Sequence, residues 1–103
     1  METGRKFELE WYVGSASGNI TRMDVFKGQH FNVRIICLDS GTAILPRNEP
    51  YEVFFYVLSG KGSVSAGGSA WDVGPGSMVY APEGPRGIKC TERLTILGVQ
   101  GPH

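Results

Sequence analysis

The sequence predicts an all-β fold, a barrel or double-sheet jelly roll built as one domain. Three observations predict it. Glycine supplies 15 of the 103 residues, about twice the average usage of roughly 7%, and without a Gly-X-Y period that excess means tight turns. Short runs rich in β-branched and aromatic residues recur at intervals of about 8–12 residues, each closed by Gly, Pro, Asn or Asp. No segment of useful length carries a helical period.

The elements follow in order. Phe7 to Val13 is a first candidate strand. Residues 14–19 are a loop by composition. Phe31 to Leu38 is a β-branched and aromatic run that ends at the turn Asp39-Ser40-Gly41. Thr42 to Leu45 continues as a strand into Pro46, and Asn48-Glu49-Pro50 breaks it. Glu52 to Leu58 is the strongest strand, closed by Ser59-Gly60-Lys61-Gly62. Ser63 to Ala66 and Ser69 to Val73 form a hairpin about Gly67-Gly68. Met78 to Ala81, Gly87 to Cys90 and Leu94 to Val99 complete about nine short strands, the pattern of a sandwich or barrel. The single domain spans 1–103, with N-terminal strands and loop over 1–30 and the barrel core over 31–99.

Composition narrows the function. Hydrophobic residues at 41% and charged residues at 19% describe a folded globular chain. Ten basic and ten acidic side chains cancel, so no long-range field draws nucleic acid or an anionic membrane, and neither is an expected partner. The longest apolar run, Val53 to Leu58, is far short of the ~20 residues of a membrane helix. No apolar stretch follows the N-terminus, so the expected compartment is the cytoplasm. There Cys37 and Cys90 read as reduced, buried thiols, and Asn19-Ile20-Thr21 as a chance match to a glycosylation acceptor.

Val53 to Leu58 is apolar on both faces, whereas a half-buried strand alternates. One face then belongs to the barrel core. The other is covered either by a second subunit, making a homodimer, or by the chain's own N-terminal segment.

Two stretches resemble motifs of the cupin family. Glu52-Val53-Phe54-Phe55-Tyr56-Val57-Leu58-Ser59-Gly60-Lys61-Gly62 resembles the first, a glycine-flanked strand. Gly76-Ser77-Met78-Val79-Tyr80-Ala81-Pro82-Glu83-Gly84-Pro85-Arg86-Gly87-Ile88 resembles the second, a glycine, a strand and then Pro-x-Gly. The resemblance covers roughly 33–99 and implies a cupin-type double-stranded β-helix.

Common cupins bind a divalent metal through three histidines and a glutamate. Here the positions that the resemblance assigns to those ligands hold Arg47, Glu49, Val53 and Arg86, with Glu52 one residue off the inward face. Arg86 takes the last position if one residue is deleted after Gly84; otherwise Gly87 takes it. The asparagine that often follows is Cys90. Arginine stays protonated and offers no lone pair, so no metal or other cofactor is expected. A divalent metal would need non-standard ligands, such as His30 with Glu49, Glu52 or Cys90.

Two guanidinium groups instead suit an anion. The expectation is a metal-independent pocket for an acidic or sugar-like small molecule, with Arg47, Glu49 and Arg86 as polar groups and Phe55, Tyr80 and Cys90 as further contacts. Val53, Val57 and Leu45 would share the wall with Phe55. A second reading is an isomerase or epimerase with Glu49 as the catalytic base. A third has Glu49 pairing with both arginines and plugging the barrel. Whether the chain is an enzyme stays open. Gly60-Lys61-Gly62-Ser63 is no phosphate loop, because no glycine stands five residues before Gly60 and a strand follows. Nothing places a serine beside His30 with an acidic partner, so a hydrolytic triad has no support.

Overall fold

A computed structural model of the chain describes residues 3–14 and 16–103. Residue 15 of the predicted 14–19 loop and residues 1–2 lie outside the described residues. Seven antiparallel strands form one strongly curved sheet: β1 (Ile20–Lys27), β2 (Asn32–Leu38), β3 (Ala43–Glu49), β4 (Val53–Ala66), β5 (Ser69–Val73), β6 (Met78–Ala81) and β7 (Gly84–Gln100). The path runs β1-β2-β7-β4-β5, with β3 also paired to β7 and β6 to β4. The jelly-roll expectation therefore holds. Among the described residues no helix is long and apolar enough to cross a membrane.

Strand boundaries differ from the sequence reading in instructive ways. The predicted strand Phe7–Val13 is instead an extended segment leading into one helical turn, α1 (Glu10–Val13). Local bonds satisfy the backbone there in place of a strand ladder: Val13 N donates to Leu9 O at 3.1 Å and Gly14 N to Glu10 O at 3.2 Å. β1 was not expected at all. Its inward positions carry Arg22 and Asp24, reversing the usual apolar-in pattern.

The Gly-x-Gly after residue 59 does not end a strand. β4 runs through it, bulging against β7 between Val57 and Gly62. Gly60, at φ 90°, lies so close to the Arg93 carbonyl that a Cβ would overlap it, so only glycine lets the two long strands cross there. Pro46 likewise sits inside β3 instead of ending it. β3 is bonded on one side only and bulges between Ile44 and Arg47, where a missing N–H is tolerated.

The inward face forms the core, in which Leu38, Val53, Val57, Val64, Leu94 and Ile96 are fully buried. Phe55 is buried with them. Leu45 is not: it is 72% exposed, and the bulge turns Ile44 toward the interior in its place.

The outward face is also apolar. Cross-strand registers align Phe26, Val33, Val99, Phe54 and Tyr80 in one row. They align Met23, Ile35, Leu97, Tyr56 and Met78 in the next. The N-terminal segment lies over the β1–β2 side of both rows. There Phe7 packs edge-on against Phe26 with ring centroids 6.2 Å apart, and Ile35 is 3% exposed despite facing outward. A groove of about 500 Å³ separates this segment from the sheet, with Phe7, Leu9 and Tyr12 on one side and Val33, Ile35 and Leu97 on the other.

Candidate functional site

At one end of the barrel β3 and β7 place Arg47 directly opposite Arg86. The register follows from Gly87, where a Cβ would stand 2.7 Å from the Ile44 carbonyl oxygen and 2.9 Å from Pro46 N. Glycine thus lets the bulged part of β3 approach and sets the two arginines side by side.

A cavity of about 60 Å³ opens beside them, room for about four waters or for one carboxylate group whose larger remainder stays outside it. Its apolar floor includes Ile36, Ile44, Phe55 and Ile88. Its polar lining is Arg47, Glu49 and Arg86 with four groups the sequence reading missed: Arg22, Arg34, Tyr51 and Gln100. Arg22 and Arg34 come from β1 and β2. Their signal was a charged residue at interior parity, between apolar neighbours that face outward (Met23 beside Arg22, Ile35 beside Arg34).

The charges are not all alike. Arg47 Nε lies 2.9 Å from Glu49 Oε1, with the Arg47 side chain 73% exposed. Such a pair contributes ~0–1 kcal/mol. Arg34 Nε lies 3.0 Å from Asp24 Oδ1. Arg86 is buried, at 7% exposure. Its Nη1 donates to the Tyr51 carbonyl at 2.6 Å, and its guanidinium lies 4.6 Å from the centroid of the Tyr51 ring. No carboxylate among the described residues pairs with Arg86 or Arg22. Glu49 therefore does not neutralise both Arg47 and Arg86.

Tyr80 and Cys90, expected as ligand contacts, do not line this cavity. Tyr80 is on the outward face, 54% exposed, and donates its hydroxyl to Glu52 Oε2 at 2.7 Å. That bond, above all, pushes the phenol upward from its usual value, helped by desolvation and by the charges of Glu52 and Glu83. Cys90 is in the core, where its thiol donates to the Leu38 carbonyl at 3.4 Å. Burial pushes the thiol up; the charges it feels are Asp39 and Arg93, not Arg86. His30 lies across the sheet edge in a shallow surface depression with Glu52 and Tyr80.

A divalent metal does not suit this donor set. Among the described residues no three His, Cys, Asp or Glu side chains converge. At the barrel mouth the donors are guanidinium groups and one carboxylate already held by Arg47.

The comparisons agree with this architecture. No curated protein sequence matches the chain. A protein of unknown function with a double-stranded β-helix domain from Klebsiella pneumoniae superposes with a TM-score of 0.82 at 20% identity, covering 97% of this chain and 91% of that one. KdgF from Halomonas sp. superposes with a TM-score of 0.76 at 21% identity, covering 86% and 85%. An RmlC-like cupin from Desulfovibrio desulfuricans gives 0.77 at 16% identity, covering 98% of each chain. At these identities the likeness shows the fold alone. The family model described as "Cupin domain" matches residues 34–88, more than half of the chain and both glycine-framed motifs, and the protein belongs to the cupin family.

Proposed function

We propose that this cupin binds a small carboxylate, such as a sugar acid, without a metal ion. The observation that carries the reading is Arg86: a buried guanidinium with no anionic partner among the described residues. A buried charge left unpaired costs several kcal/mol, and a carbonyl with an aromatic face offsets only part of that. A bound carboxylate supplies the missing charge, and the planar fork of arginine matches its two oxygens. Arg22 adds a second cation at the mouth, while Ile36, Ile44 and Phe55 give the ligand an apolar wall. Glu49 serves here to hold Arg47 in place; nothing in the arrangement favours it as a base. The reading also places the protein in the cytoplasm, in keeping with two free, buried cysteines.

The test is a thermal-shift and calorimetric panel of acetate, malonate, glucuronate, phosphate and neutral glucose. At ten times Kd a bound anion adds about 1.4 kcal/mol and raises Tm by roughly 5–10 °C. Glucuronate or malonate is expected to do so and glucose is not, and Arg86→Met is expected to abolish the response. An unchanged response in Arg86→Met, or none with any anion, overturns the proposal. Elemental analysis of protein purified without chelator or nickel checks its other half: about one metal per chain would sink the metal-free pocket.

A further inference from the structure

We infer that the groove between the N-terminal segment and the outward face of the sheet is a second binding site, for an uncharged, apolar small molecule. It lies on the side of the sheet away from Arg47 and Arg86 and does not depend on them.

Local backbone features build the groove. β1 bulges between Asp24 and Phe26, and as a result Val25 and Phe26, neighbours in sequence, both line it instead of facing opposite sides. In the turn that follows, a Cβ at Gly28 would stand 2.5 Å from the Phe26 ring and 2.9 Å from the Phe31 carbonyl oxygen. Glycine there leaves room for the ring. Phe26 then joins the two walls: it meets Phe7 of the segment at 6.2 Å and Phe31 before β2 at 5.9 Å between ring centroids.

The lining selects the ligand. Every groove residue contributed by a strand is apolar: Val25, Phe26, Val33, Ile35, Leu58 and Leu97. The charged side chains are both on the segment and of opposite sign, Arg5 and Glu8. The Arg5 guanidinium lies 5.2 Å from the centroid of the Phe26 ring, and Glu8 pairs with Lys6 at 2.7 Å. The rim thus favours neither an anion nor a cation, and the walls offer an ionised group nothing for its lost hydration. Water against such walls lacks hydrogen-bond partners, so an apolar molecule displaces it readily.

Size and chemistry agree. The groove holds about 500 Å³, roughly three times the ~150 Å³ apolar cavity that takes up benzene, which is room for roughly 15–20 non-hydrogen atoms. A volume of this order is typical of small-molecule sites. A peptide is a poor occupant, because side chains on a sheet face offer no donors or acceptors to its amides, which would be buried unpaired.

The experiment is a fluorescence titration with the neutral dye N-phenyl-1-naphthylamine, followed by displacement with decanol. The wild type is expected to brighten the dye with a Kd of about 10–100 µM, the range for a ligand of this size. Decanol is expected to displace it and glucuronate is not. Val33→Trp fills the groove from the sheet and is expected to weaken binding at least tenfold with far-UV circular dichroism intact. Should that variant fail to fold, Leu9→Asp, at a position 40% exposed on the segment, is expected to show the same loss. Phe54→Asp, on the open part of the outward face, is expected to bind as the wild type does. A wild type that leaves the dye dark overturns the inference, including the case in which sedimentation shows a second copy closing the groove. Binding that survives a folded groove variant, or that is lost equally in Phe54→Asp, also overturns it.

Discussion

The guanidinium of Arg86 donates to the carbonyl of Tyr51 and lies over the ring of that same residue. Tyr51 thus holds the arginine by a carbonyl dipole and a ring quadrupole, with no net charge. On the Tyr51 ring the imidazole of His103 stacks at 3.8 Å and 7°, which fixes the tyrosine from a second strand end. No side-chain nitrogen of Arg86 is both buried and unpartnered, so its remaining N–H groups open onto the cavity.

This arrangement separates charge from shape at position 86. Arg86→Lys keeps the positive charge but loses the planar fork and the stacking on Tyr51. Glucuronate affinity is expected to fall by roughly tenfold with lysine and beyond detection with methionine, read by calorimetry. Equal affinity for arginine and lysine would show that the site reads charge alone.

Arg22 has no ion-pair partner among the described residues, whereas Arg34 is tied to Asp24. Arg22→Ala is therefore expected to weaken anion binding and to flatten its dependence on salt, with stability within ~0.5 kcal/mol of the wild type. Arg34→Ala is expected to cost stability as well, because it leaves the Asp24 carboxylate only its longer contact with Lys27, at 3.7 Å. Urea melts and binding isotherms at two ionic strengths distinguish the two.

Tyr80 is held protonated by Glu52. Its folded pKa stands above the ordinary 10.0, so while Glu52 carries its charge the bond contributes below that value and is lost as pH rises through the raised pKa. An ultraviolet titration should show one tyrosine ionising late, and Glu52→Gln should move it back toward the ordinary range. A late tyrosine that persists in Glu52→Gln would contradict the assignment.

Gly87→Ala places a Cβ against backbone atoms of Ile44 and Pro46. β3 must then retreat, at a cost of ~1–3 kcal/mol, with the urea midpoint lowered and the slope unchanged. Gly101→Ala meets nothing within 4 Å and is expected to be neutral. Anion binding should fall in Gly87→Ala even where the protein stays folded, since the same retreat parts Arg47 from Arg86.

Cys90 is buried, bonded to the Leu38 carbonyl and pushed away from the thiolate. Neither it nor buried Cys37 should react with a disulfide reagent at pH 8 in the folded protein, and both should react after unfolding. A fast native reaction at Cys90 would revive a role for its thiol.

The sheet was legible in the sequence wherever side chains obeyed the apolar-in rule. β5 and β6 were bounded correctly from their turns, and β2 to within a residue. β1 was invisible because Arg22 and Asp24 face inward and Met23 faces outward. That inversion also hid half of the cavity's cations. Arg47 could be reached by counting from Gly41 and Arg86 by counting along the second motif, since the glycines that fix the count also fix the backbone. Leu45 could not be placed, because it lies within the bulge between Ile44 and Arg47, which breaks the parity on which the count depends. Tyr51 contributes through its carbonyl and ring to a residue 35 positions distant, a relation no local pattern carries.

The last strand is the shared partner of three others: β7 is bonded to β2, β3 and β4. As the chain leaves a ribosome, those three strands emerge with open edges, and only the β1–β2 hairpin and the pairings of β4 with β5 and β6 can form. Closure waits for residues 84–100. The barrel is thus built by a single late insertion across long sequence separations, which sets folding on the millisecond-to-second scale typical of nonlocal β topologies. Until that insertion the nascent chain exposes both the apolar rows and the strands' unpaired amides, so synthesis is the stage at which this small protein is most exposed to aggregation.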